Sequence, residues 1–182
     1  MNITITGPRS VGKSTIAKLL AKKLKLKYLS SDNLGEKHLK KHGGLDKAIK
    51  SGKIKEFIKK KGYTLILKEY NKKDFVFDLS IGAFASQDFK KASRDLRKKA
   101  KQKSLIIGLL PSKKTKESVD LLFSREAKRK HFKKSDKKAL FDRTKKRYPI
   151  QRDALLKNCD KVIYTGNQKP KRVVKEILEV LT

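Results

Sequence analysis

The sequence predicts a three-layer α/β sandwich built around a five-stranded parallel sheet. Five short apolar runs of strand length recur along the 182 residues, segments with helical periodicity separate them, and no repeat or linker divides the chain. Alternating strands and helices are typical of βαβ crossovers, which place parallel strands in the middle and helices on both faces. We therefore expect a single domain over residues 1–182.

The elements follow one another in a simple order. The expected strands are 3–6, 26–29, 75–79, 104–110 and 161–164. Residues 34–71 are helical in tendency, with breaks expected at Gly43-Gly44, Gly52 and Gly62. A polar helix is expected over 87–103, an amphipathic helix around 119–123, a basic helix over 136–148 that ends before Pro149, and a closing helix around 173–181.

One stretch between the first strand and the first helix carries recognisable chemistry. It matches the pattern G-x-x-x-x-G-K-[ST] at every fixed position, and its glycines allow backbone N–H groups to point at phosphate oxygens. We predict that the following residues bind a nucleotide: Gly7, Pro8, Arg9, Ser10, Val11, Gly12, Lys13, Ser14 and Thr15. The helix that follows adds the positive end of its dipole. The alternative is a glycine-rich turn that binds nothing.

Two residues are candidate ligands of Mg²⁺ on this pattern. The Ser14 hydroxyl occupies the position that ligates the ion in such loops. Asp78 ends the apolar run Phe75–Leu79, and nucleoside triphosphatases use an aspartate at such a strand end to hold the metal. The alternative for Asp78 is an exposed carboxylate with no metal.

The charge of the chain is strongly positive. Fifty basic against eighteen acidic residues give a formal charge of +32, which favours polyanions and salt-dependent binding. The basic set contains 41 lysines and nine arginines, whereas bidentate recognition normally draws on arginine. A solvated lysine surface, or a biased genomic composition, explains this pattern better than a nucleic-acid groove.

The cysteine content and the length of the apolar runs indicate in which cellular compartment the protein is expected. Cys159 is the one cysteine, so neither an intramolecular disulfide nor a cysteine-cluster metal site can form. The sequence shows no basic-then-apolar leader and no apolar run long enough to span a bilayer. We expect a soluble, monomeric cytoplasmic protein with no membrane partner.

The layout resembles the nucleoside monophosphate kinase group of P-loop proteins, and most closely the shikimate kinase family. The resemblance rests on the loop Gly7–Ser14, on Asp32 after the second strand, on 80–83 at the family's glycine-rich turn, on the arginine-bearing lid, and on 147–150 before a helix. It implies ATP and Mg²⁺ as cofactors. It also implies that Asp32 accepts the proton of the acceptor hydroxyl, that Asp78 or Asp32 supports the metal, and that Gly82 and Arg147 bind the acceptor. The alternatives are that Asp32 caps the helix after the second strand and that Arg147 is one of many solvated cations. Arg125 or Arg129 would be the lid arginine.

The expected function is ATP-dependent phosphoryl transfer to a small hydroxylated metabolite, with shikimate as the first candidate. A segment at about 33–72 would cover the acceptor, and a basic lid at about 112–138 would close over the phosphates. The basic lid motivates one alternative, a kinase of nucleoside monophosphates or RNA ends. A second alternative is a non-catalytic nucleotide-binding protein associated with RNA, because Ser30 stands at the family's first acidic position and no arginine occurs between Arg9 and Arg94.

Overall fold

The centre of the molecule is a sheet of five parallel strands. The computed structural model describes residues 1–40, 43–44, 47–48, 51–128 and 137–181. The strands are β1 (Asn2–Thr6), β2 (Lys27–Ser30), β3 (Phe75–Asp78), β4 (Leu105–Leu110) and β5 (Lys161–Tyr164). Their order across the sheet is β2-β3-β1-β4-β5. The predicted sheet is confirmed, and each strand begins and ends within one residue of its expected position.

Helices cover both faces of this sheet. They are α1 (Lys13–Leu24), α2 (Ser31–Leu39), α3 (Lys53–Phe57), α4 (Tyr63–Glu69), α5 (Ile81–Phe84), α6 (Lys90–Lys103), α7 (Thr115–Ala127), α8 (Lys137–Asn158) and α9 (Pro170–Leu181). Right-handed crossovers put α1 and α9, which pack together, on one face, and α6 and α8, which pack on β4, on the other. This confirms the three layers. Among the helices in the described ranges, none has the length and apolar composition needed to cross a bilayer.

Gly62 does not break the helical segment in which it lies, contrary to the prediction. A π-helical turn, Ile58–Gly62, joins α3 directly to α4, and Gly62 has helical backbone angles. The side chains of Phe57 and Ile58, in the same helical segment, lie 3.5–3.7 Å from where a β-carbon would stand at this position. Tyr63 and Ile66, which follow it, are buried in the core, and this tertiary packing outweighs the helix-breaking tendency of a single glycine, which amounts to only about 1 kcal/mol. Gly52, with a left-handed φ of 75°, does precede α3 as a break.

Pro149 does not end its helix either. The basic helix predicted to stop at Tyr148 continues as α8 to Asn158, with Pro149 inside it. Tyr148 on one side of the proline and Leu155 on the other are almost fully buried. Burying two large side chains contributes about 1.5–3 kcal/mol each, which offsets the cost of about 3 kcal/mol for a proline in a helix.

Candidate active site

The phosphate-binding pattern lies where β1 passes into α1, at the carboxyl edge of the sheet. Gly12 occupies the N-cap position of α1 with a φ of 103°, and its helix start has no side-chain cap. Ser10, two residues earlier, also has a left-handed φ, of 65°. The N–H groups at the start of α1 are thus not used by a capping side chain, which is the arrangement that binds an anion at a helix N-terminus.

Gly7 is required by a close approach to β4. A β-carbon added to it would lie 2.5 Å from the carbonyl oxygen of Leu109 and 3.1 Å from a methyl group of Val11. The loop therefore passes over the end of β4 with no room for a side chain at this position. This fixes the start of the loop against the neighbouring strand.

We expect Gly7→Ala to weaken both the fold and nucleotide binding. The added methyl group forces the loop away from Leu109, which should lower the free energy of unfolding by about 1–3 kcal/mol. ATP affinity should fall at least about tenfold, because the displaced N–H groups no longer converge. Denaturant unfolding and calorimetric ATP titration measure the two effects. Gly82→Ala is the matched control, since its added methyl group meets nothing within 4 Å; equal stability losses would contradict the prediction.

Lys13, Ser14 and Thr15 form the first turn of α1. The Lys13 ammonium donates to the Pro8 carbonyl oxygen at 3.1 Å, so the lysine side chain lies back over the loop. Ser14 and Thr15 are exposed. The Lys13 ammonium and the hydroxyl groups of Ser14 and Thr15 therefore lie at the rim of the loop. The backbone N–H groups of the loop are further hydrogen-bond donors at the same place.

Asp78 lies buried at the end of β3, so the alternative of an exposed carboxylate is wrong. It pairs in register with Ile5 of β1 on one side and with Ser30 of β2 on the other. Tyr28 donates to its Oδ2 at 3.1 Å. Burial, and then the negative charge of Asp78, raises the pKa of Tyr28 to about 12, so the phenol keeps the proton that it donates.

The oxygen atoms at this edge suit a hard cation. Ser14, Asp32 and Asp78 supply hydroxyl and carboxylate oxygens, and the buried Thr6 hydroxyl beside the loop has no hydrogen-bond partner within the described residues. Across the same residues, no three His, Cys, Asp or Glu side chains cluster as a metal cage. Mg²⁺ is usually held by one or two carboxylates together with substrate phosphates, so these residues fit that ion.

Asp32 lies in the first turn of α2, and Ser30, not Asp32, is the N-cap of this helix. The Ser30 hydroxyl accepts from the Asn33 N–H at 3.4 Å. Ser31 then links two strand ends, since its hydroxyl donates to the Asp78 carbonyl oxygen at 3.3 Å and accepts from the Ser80 N–H at 2.9 Å. Asp32, which is exposed, is thus carried on a junction fixed to the end of β3.

A cavity of about 220 Å³ opens beside Asp32. Ser31, Asp32, Ser80 and Gly82 line its polar side, and the other walls are apolar, with Phe57 and Ile66 among them. Two of the predicted acceptor-binding residues, Asp32 and Gly82, therefore line the same cavity. Arg147 is exposed on α8 and is not among the residues that line it.

Of the two candidate lid arginines, the structure describes only Arg125, and its side chain contacts a turn rather than the phosphate loop. Arg125 on α7 donates to the carbonyl oxygen of Gly166, in the turn after β5. Arg129 lies outside the described residues, as does most of the segment 128–138. The contact between α7 and the loop is made instead by the next residue, Glu126, which pairs with Arg9 and accepts from the Ser10 hydroxyl.

Sequence reasoning missed Tyr28, Ser31 and Glu126. Tyr28 and Asp78 are 50 residues apart, and Ser10 and Glu126 are 116 apart, so no local pattern joins either pair. A signal for Glu126 does exist, since it is the only acidic residue between positions 121 and 135. A single carboxylate in so basic a stretch indicates a specific partner.

A parallel sheet ordered β2-β3-β1-β4-β5, with a phosphate loop after β1, defines a P-loop nucleotide-binding kinase fold. The model of the family described as shikimate kinase matches residues 9–182. The chain belongs to the shikimate kinase family, which confirms the resemblance seen in the sequence. It is an ATP-dependent kinase whose acceptor is a small hydroxylated metabolite.

Solved structures show the same fold. Shikimate kinase from Aquifex aeolicus superposes with a TM-score of 0.72 at 21% identity, covering 100% of this chain and 96% of that one. Shikimate kinase from Acinetobacter baumannii, in complex with shikimate, gives 0.65 at 20% identity, with 99% and 92% covered. A gluconokinase from Sinorhizobium meliloti gives 0.57 at 16% identity, with 98% and 89% covered. A comparison with curated protein sequences gave no match.

Proposed function

We propose that this kinase holds ATP on the phosphate loop and phosphorylates a hydroxyl group of an acceptor beside Asp32, with shikimate as the first candidate acceptor. One observation carries the proposal. The loop after β1, Asp78 at the end of β3 and Asp32 after β2 follow three adjacent strands at one edge of the sheet. Donor and acceptor groups are thereby brought together, as phosphoryl transfer requires.

The phosphate loop forms the donor side. Backbone N–H groups from Gly7 to Thr15 bind the phosphates, and Lys13 leaves the Pro8 carbonyl oxygen to contact the transferred phosphoryl group. Ser14, Asp78 and Asp32 would hold Mg²⁺. The ion, when bound, neutralises charge on the phosphates.

The acceptor side is the cavity beside Asp32. Asp32 orients the acceptor hydroxyl and takes its proton as the phosphoryl group is transferred. Gly82 lines the same cavity. Arg147, which lies outside the cavity lining, is proposed to bind an anionic group of the acceptor. The segment at about 33–72 covers the acceptor, and the lid at about 112–138 brings Arg125 or Arg129 towards the phosphates. Residues 1–182 act as one kinase domain.

We also propose a cytoplasmic location for the enzyme. Cys159 has no second cysteine with which to pair.

An ADP-release assay with a panel of acceptors tests this function. Shikimate, sugars, nucleoside monophosphates and 5′-hydroxyl RNA are each supplied with ATP, with and without Mg²⁺. We expect Mg²⁺-dependent turnover with a small hydroxylated acceptor, and a phosphorylated product detected by mass spectrometry. Turnover with nucleoside monophosphates or RNA ends alone would contradict the proposal. ATP binding with no transfer to any acceptor would favour the non-catalytic alternative.

A second candidate function, RNA binding, is favoured by a cleft between the start of α6 and the end of α8. The cleft has a volume of about 460 Å³. It is lined by five cations and one carboxylate: Lys90, Lys91, Arg94, Arg97, Lys157 and Asp153. Burial lowers the pKa of Arg97, and the positive charge of Arg94 lowers it further. Repelling cations at one cleft are stabilised when a polyanion neutralises them.

We expect neutralising this cleft to reduce RNA affinity more than neutralising an equal charge elsewhere. Lys90, Lys91, Arg94 and Lys157 are changed to Gln, and the control changes the exposed Lys22, Lys23, Lys171 and Arg172. Fluorescence anisotropy with single-stranded RNA is measured at several salt concentrations. The salt slope should fall by about 0.7 for each lost contact, or about 3 in all, in the cleft variant only. Equal losses in both variants would indicate a diffuse charged surface and contradict the candidate.

A further inference from the structure

Glu126 joins the last turn of α7 to the phosphate loop. Its Oε1 lies 2.6 Å from Nε of Arg9, and its Oε2 accepts from the hydroxyl of Ser10. The carboxylate is buried, with 6% of its side chain exposed, whereas 62% of the Arg9 side chain is exposed. One carboxylate therefore contacts two consecutive residues of the loop while most of the Arg9 side chain stays exposed to solvent.

The position of this carboxylate is electrostatically unusual. A phosphate loop attracts anions through Lys13, its backbone N–H groups and the dipole of α1, so a negative charge against the same loop opposes that attraction. Burying a carboxylate is unfavourable unless it is paired and hydrogen-bonded. Arg9 and Ser10 satisfy both requirements, which explains how Glu126 is tolerated there.

The two contacts also constrain the shape of the loop. Ser10 has a left-handed φ of 65°, which a residue with a β-carbon adopts only at a cost. Its hydroxyl is held by Glu126, so the strained residue and the neighbouring arginine share one anchor. Without that anchor, the Arg9 side chain would be free to turn towards any bound anion.

We propose that Glu126 is a positioning residue of the nucleotide site, which holds Arg9 at the rim of the phosphate loop and limits how strongly the loop attracts phosphate in the ground state. This inference rests on the proposed function of the loop as the donor site. Arg9 stays oriented by Glu126 and reaches the phosphates as charge builds up during transfer. Removing Glu126 should therefore tighten nucleotide binding and slow the transfer.

Nucleotide binding by Glu126→Gln tests the inference without an acceptor. Calorimetry with ADP, and with ATP in the presence of Mg²⁺, should give dissociation constants about fivefold lower than for the unmodified chain, because a repelling charge is lost. Asp120→Asn is the matched control: it makes the same charge change at an exposed position of the same helix and should leave both constants unchanged. The Arg9→Ala background isolates the pair, and Glu126→Gln there should tighten binding by more than in the unmodified chain, because Arg9 no longer offsets the charge of the carboxylate.

Turnover with the acceptor identified in the panel adds a second measurement. We expect kcat of Glu126→Gln to fall about tenfold while KM for ATP also falls, a combination that a merely structural role does not produce.

Weaker nucleotide binding in Glu126→Gln, or an effect equal to that of Asp120→Asn, would overturn the inference. If Glu126→Gln does not fold, Arg9→Ala removes the cation that lies against the carboxylate and should weaken ADP binding more than about tenfold; unchanged binding in that variant would overturn the inference as well. A chain that binds nucleotide with this coupling but transfers nothing would refute the kinase function and leave the role of Glu126 intact.

Discussion

Replacing Lys13 with alanine should abolish phosphoryl transfer while leaving the fold intact. The Lys13 ammonium lies over the phosphate loop, bonded to the Pro8 carbonyl oxygen, and is the cation that we propose follows the phosphoryl group as it moves. Losing one preorganised charge of this kind costs about 10²–10³ in kcat, and more where the group contacts the transferred phosphoryl directly. The side chain is only partly buried, so the change in unfolding free energy should stay within about 1 kcal/mol.

ADP release and thermal denaturation measure these two effects. Lys22→Ala is the matched control, since Lys22 is an exposed lysine on the same helix and removing it changes the net charge equally. Its turnover should match that of the unmodified enzyme. Normal turnover by Lys13→Ala would show that the loop is not the donor site.

Asp32→Asn should give the second large effect, a fall of about 10²–10⁴ in kcat. An amide has nearly the same shape as the carboxylate but cannot take the acceptor proton, and general-base assistance contributes about that range. Because Ser30 rather than Asp32 caps α2, stability should change little. KM for the acceptor should also change little, since the amide still lines the cavity.

Measuring kcat against Mg²⁺ concentration separates the two roles proposed for Asp32. If the carboxylate acts on the acceptor, saturating Mg²⁺ does not restore kcat; if it supports the metal, raised Mg²⁺ restores much of it. Glu36→Gln, an exposed acidic residue on the same helix, serves as the control. Full activity of Asp32→Asn at every Mg²⁺ concentration would remove Asp32 from the mechanism.

The phosphate-loop geometry could be predicted from sequence because its information is local. Nine consecutive residues supply the glycines, the lysine, the hydroxyl groups and the start of the helix, and the constraint on Gly7 is one that only glycine meets. The strands were predictable for a similar reason, since both faces of a parallel sheet are buried and each strand is a short apolar run.

Helix boundaries were less predictable because they depend on packing between distant segments. Gly62 and Pro149 are helix breakers by local rules, yet each lies inside a helical segment. At Pro149 the two turns on either side bury Tyr148 and Leu155. A local rule gives the free-energy cost of a proline in a helix. It does not give the free energy gained when Tyr148 and Leu155 are buried against distant segments.

The electrostatic part of the site was the least predictable. Tyr28 donates to Asp78, and Glu126 holds Arg9, across separations that no motif spans. In the basic lid the many cations suggested the functional groups, whereas the contact with the phosphate loop is made by a carboxylate, Glu126. Charge counts describe a surface, whereas pairing between distant charges is set by the fold.

The alignment of β3 between β1 and β2 has a consequence for insertions and deletions. Asp78 pairs with Ile5 on one side and Ser30 on the other, and side chains alternate between the two faces of a strand. Removing one residue from β3 would turn the Asp78 position to the opposite layer and also pull the Ser80 N–H away from the Ser31 hydroxyl. One such deletion would dismantle the metal and acceptor sides together, so length variants of this enzyme should be accommodated in its loops and never in this strand.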